Sequence, residues 1–351
     1  MRIGIAGCGF ATRSFHLPAL RRIDSVRVVA VADLNETALA EVADRWAVPR
    51  RHRDAVELAA DPEVDVVAVC LPPAAHVEVA ASALEAGKHV LVEKPLALSL
   101  PDADRLVALA DQAHGKATVG FNLRSHRLVR RARAELQGGH LGAIQCLEST
   151  VSDSTLDRPG LPEWRKRRER GGGALMDKAI HHLDLWRHLL DDEVKEVFAV
   201  SRSGRGDDQT VAVTGSMRGG AVATTLALDA TSVGNELTVH GEAGSVALSL
   251  YRSDGYRRSG RDDAPSALGG RLARGAGALR ELAAGLSKSR RGGDFMTSYV
   301  TQWSGFLQAI RDDTDPPCTL ADGRRALQIA LAAAQSAELG RPVEVEAAKV
   351  R

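Results

Sequence analysis

Three polar side chains with the chemistry for proton transfer follow a run of glycines in the second half of the chain. After Gly171-Gly172-Gly173, residues Asp177, His181 and Asp184 are spaced at i, i+4 and i+7, so an α-helix would present all three on one face. An imidazole exchanges a proton near neutral pH, and a nearby carboxylate can orient it or hold a substrate hydroxyl. The pattern predicts an acid–base site, and an exposed polar helix face is the alternative.

A second group of charges stands at the end of a predicted buried strand. Residues 89–92 are mostly apolar, and Glu93, Lys94 and Pro95 follow at once. Proline lacks the N–H that would continue a strand ladder, so we expect the strand to end there. In an open parallel sheet, ligands bind just beyond the carboxyl ends of the strands, where Glu93 and Lys94 would lie. Without context, the pair is equally compatible with a solvated loop.

The beginning of the chain supplies that context. An apolar strand at 2–6 runs directly into Gly7-Cys8-Gly9-Phe10-Ala11-Thr12 and then into a helical stretch. Gly7 permits a tight turn, Gly9 lets the backbone approach a pyrophosphate, and the helix N-terminus offers free N–H groups. The next strand, 28–32, ends in Asp33, about twenty residues beyond Thr12, where this fold carries a carboxylate for the ribose hydroxyls. These elements together predict a dinucleotide-binding unit.

Asp33 also bears on the choice of cofactor. A carboxylate at this position accepts hydrogen bonds from the ribose of NAD and repels the 2′-phosphate of NADP, so NAD is the first choice. Arg50, Arg51 and Arg53 could bring positive charge near the adenosine, which keeps NADP possible. We interpret these arginines as a solvated basic loop.

The order of apolar segments predicts the fold class. Strands at 65–70, 89–93 and 116–121 alternate with helices, which indicates an α/β domain with a doubly wound parallel sheet over residues 1–121. Its carboxyl edge would carry Gly7, Asp33, Pro72 and Lys94.

From residue 122 onward the pattern changes to that of an α+β domain, predicted to span 122–351. Alternating segments that favour a mostly antiparallel sheet occur at 143–157, 194–203, 209–218, 220–229, 235–240 and 244–250. The Arg- and Gly-rich segment 252–293 shows no clean period apart from a possible helix at 276–287. Two helices, at 296–312 and 322–339, are predicted to close the chain.

Composition excludes several classes of function. The 46 Lys and Arg balance 45 Asp and Glu, so no overall field favours nucleic acid or an anionic membrane. No run approaches the roughly twenty apolar residues of a membrane span, and the first glycine comes too early for a signal peptide, so we expect a cytoplasmic protein. The four cysteines are isolated, and adjacent histidines diverge by about 100° on a helix, so no metal site is predicted.

In order and spacing, these motifs resemble those of the glucose-fructose oxidoreductase, inositol dehydrogenase and rhizopine-catabolism (Gfo/Idh/MocA) family over essentially the whole chain. The matching residues are 7–12, Asp33, Glu93-Lys94-Pro95 and 171–184. The resemblance implies an N-terminal Rossmann domain followed by an α+β domain with a large, mostly antiparallel open sheet. It also implies NAD or NADP, and hydride transfer between the nicotinamide and a secondary alcohol or ketone of a sugar, amino sugar or cyclitol.

The resemblance assigns roles to individual residues. Lys94, Asp177 and His181 match the catalytic trio: His181 would take the hydroxyl proton, Lys94 would stabilise the developing alkoxide, and Asp177 would hold the geometry. Trp164 and Arg165 match an element near the nicotinamide. The residues expected to contact the cofactor are Gly7, Gly9, Phe10, Ala11, Thr12, Asp33, Leu71, Pro72, His76, Glu93, Lys94, Asn122, Trp164 and Arg165.

Three residues depart from the family pattern. Thr12 replaces a glycine or alanine, Ala179 replaces a glycine, and Lys178 is an unusual neighbour of the predicted active-site helix. Two other functions stay open: a family member that keeps NAD bound and works by transient oxidation, as a glycosidase or epimerase, and a nucleotide-binding regulator without catalysis. The expected partners are a small sugar or cyclitol and further copies of the chain, as a homodimer or homotetramer.

Overall fold

A computed structural model describes residues 1–229, 231–261 and 293–347. These residues form two compact units. The first comprises Met1–Asn122, Glu169–Gly171 and Tyr299–Leu327, and the second comprises the described parts of Leu123–Arg168, Gly172–Ser298 and Gln328–Arg351. The end of the first stretch lies beside the predicted boundary at 121. The return of Tyr299–Leu327 to the first unit differs from the prediction, which placed all of 122–351 in the second domain.

The first unit contains a six-stranded parallel sheet with the order β3-β2-β1-β4-β5-β6 among its described residues. Its strands are β1 Arg2–Ala6, β2 Arg27–Ala32, β3 Arg50–His52, β4 Val66–Val69, β5 His89–Val92 and β6 Ala117–Val119. The order is that of a doubly wound dinucleotide-binding sheet, which confirms the predicted fold class. The central strand β4 is Val-Val-Ala-Val and fully buried, as expected for a strand covered on both faces.

Three helices of the first unit begin where the sequence offers a capping side chain. The α-helices of Met1–Asn122 span Leu17–Leu20, Glu36–Trp46, Ala55–Ala60, His76–Glu85 and Leu100–Gln112. Asn35, Asp54 and Ser99 each accept a hydrogen bond from a backbone N–H in the first turn of the helix that follows. A π-helical turn, Thr12–His16, precedes the first helix.

The segment that returns to the first unit is held by buried contacts with its sheet and with the π-helical turn before its first helix. The indole N–H of Trp303 donates to Nδ1 of His16 over 3.1 Å, and the hydroxyl of Thr118 donates to the carbonyl of Cys318 over 2.6 Å. At Gly323, a Cβ would lie only 2.6 Å from Val119. These contacts explain why Tyr299–Leu327 belongs with residues from the start of the chain.

The second unit contains an eight-stranded sheet with the order β13-β12-β11-β7-β10-β9-β8-β14 among its described residues. Its strands are β7 Ile144–Asp153, β8 Val194–Arg202, β9 Thr210–Met217, β10 Val222–Asp229, β11 Gly234–Gly241, β12 Gly244–Ser249, β13 Tyr256–Gly260 and β14 Val343–Glu344. Strands β7 and β10 pair in parallel, and the other neighbours pair antiparallel. The predicted mostly antiparallel sheet is confirmed.

Four α-helices lie beyond residue 122 in the described chain, and the last two are close to the predicted 296–312 and 322–339. They span Arg127–Gln137, Ile180–Leu190, Gly293–Asp312 and Leu320–Leu339. Strand β13 falls inside 252–293, for which no period was predicted, and residues 262–292, including the possible helix at 276–287, lie outside the described residues. In the part of the chain that the structure describes, no helix is both long and apolar enough to cross a bilayer.

Candidate active site

The glycine turn after β1 has the shape that a dinucleotide site needs. Gly7 has a φ of +102°, its N–H donates to the carbonyl of Ala32, and a Cβ there would lie 2.4 Å from the carbonyl oxygen of Cys70. Only glycine fits this position. A Cβ on Gly9 would meet nothing within 4 Å, so the space beside its backbone is open. The two positions therefore fit the predicted roles of turn and close approach.

Thr12 ties the start of the helix to this turn. Its side chain is buried, and its hydroxyl donates to the carbonyl of Gly7 over 2.5 Å at the first residue of the π-helical turn. Such turns are rare and occur frequently at functional sites. Phe10 is 53% exposed and meets Phe15 edge to face. Ala11 lies between the two anchored residues and is partly buried.

The carboxylate of Asp33 is fixed at the end of β2. One oxygen accepts the backbone N–H of Cys8 over 2.7 Å, and the other accepts that of Asn35 over 2.8 Å. A carboxylate has about four acceptor sites, so each oxygen can still accept a ribose hydroxyl. The backbone bond to Cys8 places this carboxylate beside the glycine turn.

The three arginines near Asp33 are paired with carboxylates of the same unit. Arg50 donates to Asp61 over 2.6 Å, Arg51 contacts Asp44, and Arg53 contacts Glu36. Their charges are thus already partnered, which favours a structural role. Arg50–His52 is also a strand that sequence analysis missed, because Arg-Arg-His carries no apolar residue to signal it.

Lys94 is the one accessible residue in a buried stretch. Within residues 90–97, all of which are described, every residue except Lys94 is buried. Glu93 accepts a hydrogen bond from Nε2 of His16 over 2.9 Å and one from the backbone N–H of Lys94 over 3.2 Å. The peptide bond between Lys94 and Pro95 is cis. The buried neighbours thus fix the backbone from which the ammonium extends.

The hydrogen bonds around Glu93 show which ring nitrogen of His16 carries the hydrogen. The indole N–H of Trp303 can only donate, so Nδ1 of His16 accepts from it and Nε2 carries the hydrogen given to Glu93. Burial alone would raise the pKa of Glu93, but the hydrogen bond from His16 and the positive charge of Lys94 outweigh burial and hold the pKa below its ordinary value. Glu93 is therefore a buried, ionised anchor.

His76 braces the two loops at the carboxyl edge of this sheet. It is buried, with Nδ1 2.8 Å from the carbonyl of Pro95 and Nε2 2.9 Å from the carbonyl of Leu71. Burial lowers its pKa. Pro72 is exposed and Leu71 partly exposed, so these residues, rather than the imidazole, present atoms to solvent. Sequence reasoning identified His76 from the resemblance but could not see that both ring nitrogens face backbone.

In the second unit, the glycine run permits close packing. A Cβ on Gly172 would lie 2.3 Å from the carbonyl group of Arg165, so this position accepts glycine alone. A π-helical turn, Leu175–Ala179, follows, and then the helix Ile180–Leu190. Within residues 171–186, all of them described, every residue is buried except Asp177 and His181.

Asp184, the third residue of the predicted polar face, pairs with an arginine. Asp184 is buried, and both of its oxygens accept hydrogen bonds from the Arg124 guanidinium, over 2.7 and 2.6 Å. Because this bidentate bond neutralises the carboxylate, it is stable inside the unit. The π-helical turn also closes through i→i+5 bonds, so Asp177 does not stand one regular α-turn before His181.

Arg165 holds Asp177. Its guanidinium donates to Oδ2 of Asp177 over 2.5 Å and lies 5.7 Å from the ring centre of the partly buried Trp164. The negative charge of Asp177 raises the pKa of Arg165 against the opposing effect of burial, so the arginine stays charged. Asn122, predicted to contact the cofactor, is buried at the end of the first unit's long stretch.

Lys178, which the sequence marked only as a departure, is buried between two carboxylates. Its Nζ lies 2.8 Å from Oδ2 of Asp229 and 3.2 Å from Oδ1 of Asp153. Burial lowers the pKa of Lys178, but the charges of Asp177, Asp153 and Asp229 raise the pKa by a larger amount and keep the side chain an ammonium. Its partners come from strands β10 and β7, which no local pattern reveals.

His182 differs from its neighbour His181 in burial. It is fully buried, its Nε2 lies 3.1 Å from the amide oxygen of Asn235, and burial lowers its pKa to about 4. Among the described residues, no group of three or more His, Cys, Asp and Glu side chains is arranged to hold a metal ion.

Comparisons with known proteins agree with this architecture. Residues 1–121 match the model of an oxidoreductase family with an NAD-binding Rossmann fold, and residues 129–247 match the GFO/IDH/MocA C-terminal domain. The chain is 28% identical to myo-inositol 2-dehydrogenase from Thermotoga maritima, over 99% of both chains. It is 35% identical to dTDP-3,4-didehydro-2,6-dideoxy-alpha-D-glucose 3-reductase from Saccharopolyspora spinosa, over 64% of this chain and 67% of the relative.

A solved structure of levoglucosan dehydrogenase in complex with NADH has the same fold, with a TM-score of 0.83, 24% identity and coverage of 99% of both chains. The two family models together cover most of the chain, one for each kind of sheet. The chain belongs to the Gfo/Idh/MocA family of NAD-binding oxidoreductases.

Proposed function

We propose that this chain transfers hydride between NAD and a secondary alcohol or ketone of a sugar, amino sugar or cyclitol, through Lys94, Asp177 and His181. One observation carries the assignment of these residues. In the two buried stretches that hold the family motifs, 90–97 and 171–186, the only accessible side chains are these three titratable groups. The names of the relatives, which act on inositol and on a deoxysugar nucleotide, support the substrate class.

The residues divide the chemistry as follows. Bound NAD supplies the hydride acceptor in oxidation and, as NADH, the hydride donor in reduction. His181 takes the hydroxyl proton as the carbonyl forms, and the Lys94 ammonium stabilises negative charge that develops on that oxygen. Asp177, held by Arg165, keeps the acid–base group and the substrate hydroxyl in place. In reduction, His181 returns the proton.

The residues of the first unit fit NAD. The open space beside Gly9 admits a pyrophosphate, and the fixed carboxylate of Asp33 suits a ribose diol. We expect Asp33→Asn to lose at least tenfold of the preference for NADH over NADPH, about 1.4 kcal/mol, because a charge that repels the 2′-phosphate is removed. Titrations of NADH and NADPH fluorescence measure the ratio, with Asp24→Asn, at an exposed position of the same unit, as the matched control. An unchanged ratio would contradict the role of Asp33.

His181→Ala tests the proposed chemistry. A positioned acid–base group contributes roughly 10²–10⁴ in rate, so turnover should fall on that scale while the affinity for NADH stays within twofold. The substrate comes from a panel of cyclitols, sugars and keto-sugars followed at the nicotinamide absorbance. His188→Ala, on the same helix, is the control and should keep wild-type turnover. Near wild-type turnover of His181→Ala would remove His181 from this role.

The same panel separates the alternatives. Cofactor retained through purification, with conversion of substrate but no net NADH, would identify a glycosidase or epimerase. Binding of NADH without turnover of any substrate would identify a regulator. A cytoplasmic location and a homodimer or homotetramer stay predictions. Association is supported by Phe198, Val200 and Val222, apolar side chains that are 40%, 60% and 44% exposed on β8 and β10 of the second unit's sheet.

A further inference from the structure

Asp177 and Lys178 are consecutive residues of the π-helical turn, and they hold opposite ends of one loop. The loop starts after Asp153, the last residue of β7, and ends at Arg165. At its end, Arg165 donates to Asp177 over 2.5 Å. At its start, the Lys178 ammonium lies 3.2 Å from Asp153 and 2.8 Å from Asp229. Both ends of the loop are therefore attached to the same π-helical turn.

The two carboxylates that bind Lys178 also bind the first residues of the loop. Asp153 accepts both the backbone N–H and the hydroxyl of Thr155, over 2.8 and 2.9 Å. Asp229 accepts the backbone N–H of Leu156 over 3.0 Å. Asp153 and Asp229 are themselves register partners in the parallel β7–β10 pair. Lys178 thus connects the sheet, the beginning of the loop and the π-helical turn at a single buried atom.

The charge balance of this cluster makes the ammonium necessary. The carboxylates of Asp153, Asp177 and Asp229 all raise the pKa of both Lys178 and Arg165, which shows that these two cations share one set of negative charges. The side chains of Lys178 and Asp229 are only 6% and 5% exposed. Without Lys178, two carboxylates would face each other with little water, and like charges so placed do not both stay ionised.

We propose that Lys178 is a positioning residue: its ammonium fixes the loop of residues 154–164 and, through that loop, the Arg165 guanidinium that orients Asp177. The catalytic part of this inference rests on the proposed function, whereas the anchoring of the loop can be measured without any turnover.

Hydrogen–deuterium exchange of the peptide 154–165 tests the anchoring. Lys178→Met keeps the length of the side chain and removes its charge. The amides of Thr155 and Leu156 should then exchange at least tenfold faster than in the wild type. The control is Arg187→Met, on the helix Ile180–Leu190, which breaks the ion pair of Arg187 with Glu193 and should leave this peptide unchanged. Exchange within twofold of the wild type in Lys178→Met overturns the proposal.

Kinetics test the positioning. In Lys178→Met, kcat should fall at least tenfold, whereas the affinity for NADH should stay within twofold. Faster exchange of the loop with wild-type kcat would overturn the positioning role. If Lys178→Met does not fold, the double variant Lys178→Met/Asp229→Asn replaces it. This variant removes the buried charges of both Lys178 and Asp229, and the asparagine oxygen can still accept from the N–H of Leu156. The same loop exchange and the same kcat are then measured, with the same results expected and the same results overturning the proposal. If the wild type turns over no substrate of the panel, the proposed function fails, and the exchange experiment still decides whether Lys178 anchors the loop.

Discussion

The two motifs that present a candidate catalytic group are supported in different ways. In the first unit, Lys94 follows a single buried carboxylate, Glu93, which accepts from His16, and His16 in turn accepts from Trp303. In the second unit, Asp177 is held by a guanidinium, and the next residue is an ammonium between two carboxylates. Lys94 is thus supported by a chain of hydrogen bonds in which only Glu93 is charged. Asp177 is supported by a cluster of opposite charges.

This difference predicts different tolerance to substitution. A buried hydrogen bond can survive replacement of a charged acceptor by a neutral one of the same shape, at a cost of about 1–2 kcal/mol. Removing one member of a buried charge cluster instead leaves an unpaired charge, which is strongly destabilising or forces a rearrangement. We therefore expect the second unit to be the more sensitive of the two to charge-removing substitutions.

The largest effect expected from this comparison is that of Arg165→Met. The variant removes the hydrogen bond that orients Asp177, and a misplacement of about 1 Å at a reacting group costs on the order of 10²-fold in rate. We expect kcat to fall by about that factor in steady-state assays. Arg167→Met, two residues further on, removes a 57% exposed arginine and is the matched control. Equal kcat for the two variants would show that the guanidinium of Arg165 does not support Asp177.

A smaller effect concerns pH. The folded state lowers the pKa of His182 to about 4, and Nδ1 of this buried ring has no hydrogen-bond partner among the described residues. Below pH ~6.5 the unfolded chain therefore binds a proton that the folded chain does not, and stability falls by about 1.4 kcal/mol per pH unit until pH reaches about 4. Between pH 7 and 5, His182 should contribute a loss of about 2 kcal/mol.

Urea unfolding of the wild type and His182→Gln at pH 7, 6 and 5 measures this contribution. The wild type should lose more stability than the variant as the pH falls, because glutamine does not titrate. The control is His140→Gln, which replaces an exposed histidine of the same unit and should follow the wild type. Parallel pH curves for the wild type and His182→Gln would refute the assignment.

The smallest effect is expected for Glu93→Gln in the first unit. The amide oxygen of glutamine can still accept from His16, while its NH₂ group meets the backbone N–H of Lys94, so we expect a loss of about 1–2 kcal/mol in urea unfolding and a kcat within tenfold of the wild type. A loss of stability greater than that caused by Arg165→Met would reverse the comparison between the two units.

The sequence predicted the parts of this molecule that depend on local patterns. The alternation of apolar strands with helices was enough for the doubly wound sheet, and the glycine turn was enough to place Asp33 beside it. Partnerships between distant residues were not predictable. Trp303 binds a histidine 287 positions earlier, and Asp184 binds an arginine 60 positions earlier.

Lys178 shows the same limit in the second unit. Spacing marks it as a charged residue on a helix, and only the fold reveals that the ends of β7 and β10 enclose it. Spacing placed Asp184 on one helix face with Asp177 and His181, but a sequence pattern does not show whether a distant arginine covers part of that face. Burial therefore separates Asp184, which is buried, from Asp177 and His181, which are partly accessible.

The central proposal is that Lys94 and His181 act in the same chemical step. A double-mutant cycle of Lys94→Met, His181→Ala and the double variant tests it through kcat on a substrate found in the panel. If the two groups act as a unit, their effects are far from additive, and the double variant should be scarcely slower than the slower single variant. Losses that multiply, or a Lys94→Met variant with wild-type kcat, would contradict the claim.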